Sequence, residues 1–450
     1  MKRLLVLLLL VATAAFAIER QPNDAYRHRR QALARAAEGR VVLVFAKSEG
    51  DLTEDLTGFR QDENFYYLTG VNVPGAAVLI VPALDAQAVA LLHAQLPAGR
   101  PATLKERPYS ELLLLPTRNR AAERWTGAKI GPDDPEAKTL GFDRVASMDA
   151  LRTELANALS PLGDLLFVNE GTAAKVALDW MKRNNVNAYV RDAQPLITPL
   201  RMVKDAGEIE LLRKAVDASV AAHVAAIKAM KPGTGERQIK ALMQYEFERR
   251  GCERPAYAPI VGARSHSTEL HYDSASGPIN NGDVVVMDVG GEYSGYAADI
   301  TRTVPANGRF TARQREIYDI VLGAQEAAIK AFKAGQSRLA RNAQDSLDSV
   351  ARDYINTHGK DLHGQPLGQY FIHGLGHHLG LDVHDPGEYD KPIDRGMVFT
   401  LEPGIYIPDE NIGIRIEDDF WVDPSGKLVN LSEKLPRRAE DLEKVMNVKP

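Results

Sequence analysis

Short apolar runs separated by polar loops dominate the first part of the chain. Residues 41–46 (VVLVFA), 63–70 (ENFYYLTG) and 76–82 (AAVLIVP) each read as a short buried strand. Helical spacing of apolar positions follows over residues 149–159 and 172–184, which makes this region an α/β domain. Pro195, Thr198 and Pro199 interrupt the pattern. From Lys204 to Met230, Ile209, Leu212, Ala215, Val216, Val220 and Val224 recur on one face of a long amphipathic helix. The reading is therefore a domain over residues 18–195 and a second over residues 196–450.

The first seventeen residues carry a different pattern. Lys2 and Arg3 precede an unbroken apolar stretch over residues 4–11, and Ala15 and Ala17 supply the small residues of a signal-peptidase site. Cleavage before Ile18, and export of the mature chain to the periplasm or the medium, is the expectation. The apolar stretch is short for a membrane anchor, which needs about 20 apolar residues.

The second domain repeats itself. AAIKAMKPG at residues 225–233 recurs as AAIKAFKAG at residues 327–335, both at the ends of helical patterns. GDVVVMDVG (282–290) aligns with GMVFTLEPG (396–404), setting Asp288 on Glu402. GYAAD (295–299) aligns with GIRIE (413–417), setting Asp299 on Glu417. His271 and His384 precede the two strands at nearly equal distances. Two similar halves thus offer matching acids and histidines to one cleft.

A hairpin centred between Tyr293 and Ser294 would set Asp288 directly opposite Asp299 on one face of a sheet. Opposed carboxylates repel, which a cation between them or a fully wet face relieves, and Asp288 ends an apolar run, which weighs against the wet face. On the last strand, alternation puts Arg415 on the same face as Glu417, with Ile414 and Ile416 on the other. Between the halves, HGLGHHLGLDVHD (373–385) gathers His373, His377, His378 and His384, four of the eleven histidines. Gly374, Gly376 and Gly380 argue against a helix there and let backbone approach a site closely. His378 reads as a packing residue beside the others.

Composition narrows the chemistry. The 450 residues are 44% hydrophobic and 26% charged, ordinary values for a globular protein. The net charge of −5 becomes −7 once Lys2 and Arg3 leave with the leader, so no basic field exists to hold nucleic acid. Cys252 is the single cysteine, which removes intramolecular disulfides, redox pairs and cysteine-built zinc sites, and it reads as a small buried residue. No Gly-x-Ser-x-Gly, His-Glu-x-x-His or P-loop pattern is present. Four converging carboxylates and one imidazole are balanced by two divalent cations. Their oxygen-rich chemistry favours Mn over Zn or Co, and two such ions suit hydrolysis.

These motifs together, VVMDVG, GYAADITRT, HGLGHHLGLDVHD, FTLEPGIYI and GIRIEDD, resemble the pita-bread metallopeptidases, and within them the aminopeptidase P group. The first-domain segment FRQDENFYYLTGVNVPGAAVLIV (59–81) is similar to the amino-terminal domain of that group. The resemblance implies a creatinase-like α/β domain followed by a pita-bread domain with a pseudo-two-fold repeat. It implies metal ligands Asp288, Asp299, His377, Glu402 and Glu417, with Asp299 and Glu417 bridging two ions around a hydroxide nucleophile, and Glu402 handling the proton of the bridging water. His271 and His384 match histidines that contact the scissile peptide, His373 one near the proline side, and Arg415 an arginine that orients the acids. The segment between Glu402 and Glu417 is shorter than in some relatives, which bears on substrate length. The implied activity is removal of an amino-terminal residue preceding proline by a homo-oligomer, a dimer or tetramer. A prolidase of the same fold is the nearest rival, and a peptide-binding pita-bread protein without metal the rival from another class.

Overall fold

The computed structural model describes residues 18–48, 58–95, 105–159, 165–169, 189–341 and 343–447, with isolated positions between 175 and 183. The leader over residues 1–17 and most of the helical pattern at 172–184 lie outside these residues.

Six strands, β1 (Val41–Phe45), β2 (Ala77–Val81), β3 (Ser110–Leu115), β4 (Arg144–Ser147), β5 (Leu165–Val168) and β6 (Tyr189–Asp192), form one sheet in the order β4-β3-β2-β1-β5-β6. It is mixed: β1 runs antiparallel to β2 and parallel to β5. All five residues of β1 are buried, as a central strand covered on both faces requires.

Residues 63–70 depart from the expected strand. Glu63–Thr69 is a helix, begun by Asp62, whose carboxylate accepts the Phe65 N–H at 2.8 Å, and ended by Gly70 in the left-handed conformation at φ 61°. The apolar run is equally compatible with a buried helix turn, and the Asp62 and Gly70 caps decide between the two. Pro195 and Pro199 also fail to break the chain: Gln194–Met202 is a helix with Pro195 in its first turn, where no intrahelical N–H is needed, and Pro199 within it. The long helix then runs Ala206–Ala229, started two residues later than its apolar pattern by a capping box between Asp205 and Glu208.

The second domain is built from two copies of one unit. The helices Ala206–Ala229 and Glu236–Glu248 pack together in the first half, and Ala312–Ala331 and Leu347–His358 in the second. β7 (Arg254–Pro255) and β8 (Ile260–Ala263) lead into the first bent hairpin, β9 (Val284–Asp288), β10 (Gly291–Tyr293), β11 (Tyr296–Ala297) and β12 (Thr301–Pro305). The second hairpin is β13 (Val398–Leu401), β14 (Gly404–Ile407), β15 (Ile412–Arg415) and β16 (Asp418–Val422), flanked by β17 (Leu428–Asn430). In each copy the outer strands pair, β9 with β12 and β13 with β16, and the inner strands pair, β10 with β11 and β14 with β15. The chain breaks its ladder between outer and inner strands, and there the carboxylates emerge.

The first hairpin is registered two residues away from the sequence expectation. Tyr293 faces Tyr296, and Asp288 faces Thr301 rather than Asp299. The loop consists of Ser294 and Gly295 alone, at φ 50° and 82°, the tight turn with two left-handed residues that suits strand twist. A shift of two preserves the face, so Asp299 stays on the side of Asp288, offset along the sheet. In the second hairpin, the pairs Leu401–Asp418 and Gly404–Arg415 bracket Glu402 and Glu417, which stand across from each other.

Candidate metal centre and active site

One cavity of about 750 Å³ opens where the two hairpins converge, and Asp288, Asp299, His373, His377, His384, His271, Glu402, Arg415 and Glu417 all line it. Asp299, His377 and Glu417 come closest: one ligand atom from each lies within 4.8 Å of the others. His377 Nε2 is 3.3 Å from Asp299 Oδ2 and 3.6 Å from Glu402 Oε1. Asp288 stands apart from that tight group, held by Arg415 Nη2 donating to Oδ2 at 2.5 Å and by the Tyr257 hydroxyl. Tyr257 also reaches Asp299 Oδ1 at 2.7 Å, tying the two first-half acids together.

Local structure explains how His377 is aimed. Residues 373–385 form no helix, and Gly376 packs so tightly that a Cβ there would lie 2.0 Å from the Thr400 carbonyl oxygen. The close approach seats the loop on β13, with Thr400 N–H donating to His377 O at 2.9 Å. His377 Nδ1 lies 3.0 Å from the His378 carbonyl oxygen, which leaves Nε2 facing the acids. His378 points elsewhere, buried with its ring edge against Tyr389, and burial pushes its pKa down to about 4.

The electrostatics are those of a site crowded with negative charge. Burial, then Asp299, Glu402 and Asp288, push Glu417 well above the usual carboxylate range. Burial raises Glu402 to about 7 and also raises Asp288, against the pull of Arg415 on both. Burial works against Asp299 too, but His377 and Tyr257 outweigh it and hold that carboxyl low. Burial opposes charge on His377, yet Asp299 and Glu402 outweigh it and lift the imidazole to about 9. Glu417 Oε1 and Asp419 Oδ1 are buried without a hydrogen-bond partner in the structure. Four clustered acids, raised pKa values and an unsatisfied inward carboxylate oxygen are what cations relieve, so the residues present fit divalent metal ions.

Arg415 does more than sit beside Glu417. It donates from Nη1 to the Tyr406 hydroxyl at 2.6 Å and from Nε to Thr301 Oγ1 at 3.1 Å, and Thr301 in turn donates to Glu417 Oε2 at 2.7 Å. His373 Nε2 lies 2.8 Å from the same Tyr406 hydroxyl and its Nδ1 2.8 Å from the Gly374 carbonyl, and burial beside Arg415 pushes it down to about 3. His384 is more open, its ring 4.2 Å from that of His377, and His271 is exposed on the cavity wall. Tyr257, Thr301, Tyr406 and Asp419, which accepts the Asp299 N–H at 3.2 Å, escaped the sequence reading. Thr301 in GYAADITRT, Tyr406 in FTLEPGIYI and Asp419 in GIRIEDD lie inside the quoted motifs; Tyr257 lies outside them and has no spacing signal.

Residues 210–424 match metallopeptidase family M24 and residues 26–166 match the aminopeptidase P amino-terminal domain. The Xaa-Pro aminopeptidase of Escherichia coli is 33% identical over 455 residues, covering 94% of this chain and 97% of that protein. The chain belongs to the Xaa-Pro aminopeptidase family. The structure of E. coli aminopeptidase P with the inhibitor Pro-Leu superposes with a TM-score of 0.80 at 31% identity, over 95% of this chain and 99% of that one. The Xaa-Pro dipeptidase of Pyrococcus furiosus is 37% identical, but over only 57% of this chain and 71% of its own. The aminopeptidase likeness thus includes the first domain and fixes the class: a hydrolase, a metalloaminopeptidase of the pita-bread fold.

Proposed function

We propose that the chain is an exported, metal-dependent Xaa-Pro aminopeptidase that releases an amino-terminal residue followed by proline. The observation that carries this reading is the single cavity onto which Asp288, Asp299, His377, Glu402, Glu417, His271, His373, His384 and Arg415 all open. Asp288, Asp299, His377, Glu402 and Glu417 would hold two divalent ions, Mn favoured by the four carboxylates over Zn or Co. When bound, such ions supply charge neutralisation, an activated water and polarisation of the peptide carbonyl.

The chain's own groups do the rest. Glu402, on the cavity wall with Oε1 3.6 Å from His377 Nε2, is placed to accept and return a proton at its carboxylate. His271 and His384, the two open histidines on the wall, are placed to hydrogen-bond the scissile carbonyl as charge develops on its oxygen. His373, half-buried and kept neutral between Gly374 O and Tyr406, shapes the side that receives the proline. Arg415 orients Asp288 directly and Glu417 through Thr301. The leader pattern over residues 1–17 supports export, and among the described residues no helix is long and apolar enough to cross a membrane. A homodimer or tetramer is part of the proposal.

Alanine at Asp299 or Glu402 tests the reading: each variant should fold and lose turnover, and near-normal turnover in either refutes it. The P. furiosus likeness favours a second reading, a dipeptidase restricted to Xaa-Pro.

A further inference from the structure

Asp385 is buried beside the active-site loop with more partners than its place after His384 requires. Its Oδ1 accepts from Arg201 Nη2 at 2.6 Å and from the Asp382 N–H at 3.1 Å, and its Oδ2 from Lys204 Nζ at 3.1 Å. Its own N–H donates to His378 O at 3.0 Å. The carboxylate rests against Gly380, where a Cβ would lie 2.6 Å from Oδ2. The turn from Gly380 to Asp385 is therefore wound around one carboxylate, with His384 at its end.

The cations come from outside the loop. Arg201 closes the helix Gln194–Met202, and its Nη1 donates to Asn64 Oδ1 at 2.7 Å, on the first-domain helix Glu63–Thr69. Asn64 also donates to Gln194 Oε1 at 2.7 Å. Arg60 in the first domain donates from Nη2 to Leu381 O at 2.6 Å, a second link to the same turn. Asn64, Arg201, Lys204 and Asp385 are all buried. Buried ions in this arrangement are costly and contribute a fixed geometry more than net stability.

We infer that Arg201 and Asp385 are positioning residues that act through His384, so that the first domain helps to aim a histidine of the active site. The inference rests on the Xaa-Pro aminopeptidase reading for the role of His384. A histidine that interacts with the transition state rather than with bound substrate loses kcat when misaimed and leaves KM nearly unchanged. Groups acting through one residue are also non-additive with its removal.

The test uses the full mature chain reconstituted with Mn and an Xaa-Pro-Xaa tripeptide. Asp385→Asn strands two buried cations and risks misfolding, so Arg201→Met, which leaves the Lys204–Asp385 pair balanced, is the primary variant. It should lower kcat by about tenfold or more with KM within about threefold, and Arg201→Lys should recover part of the loss. In a His384→Ala background, Arg201→Met should change kcat by less than about twofold. Multiplicative losses in the double variant, or a lowered Tm with kcat unchanged, overturn the inference. A His384→Ala enzyme as active as the parent removes the role assigned to His384 and the inference with it, an outcome distinct from loss of the coupling alone.

Discussion

Arg415 and Asp288 form a buried ion pair, Nη2 to Oδ2 at 2.5 Å, between the second repeat and the first. The same guanidinium bonds Tyr406 and Thr301, so one side chain fixes groups from both hairpins. Replacing it by Met leaves Asp288 without its counter-charge among three other acids. Arg415→Met should cost about 3–5 kcal/mol in urea denaturation, and Arg415→Lys should recover little, because an ammonium cannot span the three partners.

Chelation should separate fold from function. The core of the second domain is apolar and does not depend on the acids, so chelator-treated protein should retain its secondary structure while losing turnover. Adding Mn to one hundred times its dissociation constant should raise stability by about 2.7 kcal/mol for one site, read as a concentration-dependent Tm. A Tm indifferent to added Mn, Zn and Co contradicts metal binding at the cavity.

Gly376 is a steric requirement. A Cβ there would meet the Thr400 carbonyl oxygen at 2.0 Å, and backbone cannot move aside as a flexible side chain can. Gly376→Ala should displace His377 from Asp299 and Glu402 and lower both Tm and turnover, whereas Gly374→Ala, with open space around it, should leave Tm nearly unchanged. Equal effects of the two substitutions on Tm would refute the packing argument.

His223 predicts acid lability away from the site. It is fully buried, with Nδ1 2.9 Å from Ser219 O and Nε2 3.3 Å from Met287 O, and burial pushes its pKa from 6.5 to about 4. Below pH 6.5 the unfolded chain takes a proton that the folded chain refuses. The stability is therefore whole above pH 6.5 and is lost as the pH falls towards 4, by up to about 3 kcal/mol. His223→Gln should flatten that limb in urea denaturation compared at pH 7 and pH 4.5; an unchanged slope contradicts the assignment.

Much of this architecture was legible in the residues because the repeat prints the same motif twice. An acid ending an apolar strand and an acid four residues after a glycine mark the bent hairpins that the structure contains. The face shared by Asp288 and Asp299 was readable from alternation, but their register was not, since it depends on whether the turn uses Tyr293–Ser294 or Ser294–Gly295. ENFYYLT read as a strand because a short apolar run has no period of its own, and only the flanking Asp62 and Gly70 carry the helix signal. Tyr257 was invisible because it lies outside every motif and its partners lie at other points along the chain, where the fold brings it to Asp288 and Asp299; Tyr406 lay inside FTLEPGIYI, but its partner His373 is set by the fold and not by spacing.

The most direct measurement is release of the amino-terminal residue by the mature protein reconstituted with Mn, comparing an Xaa-Pro-Xaa tripeptide with the matching Xaa-Pro dipeptide. The account predicts clear preference for the tripeptide; cleavage of the dipeptide alone would contradict it and make the chain a prolidase that carries an aminopeptidase P first domain.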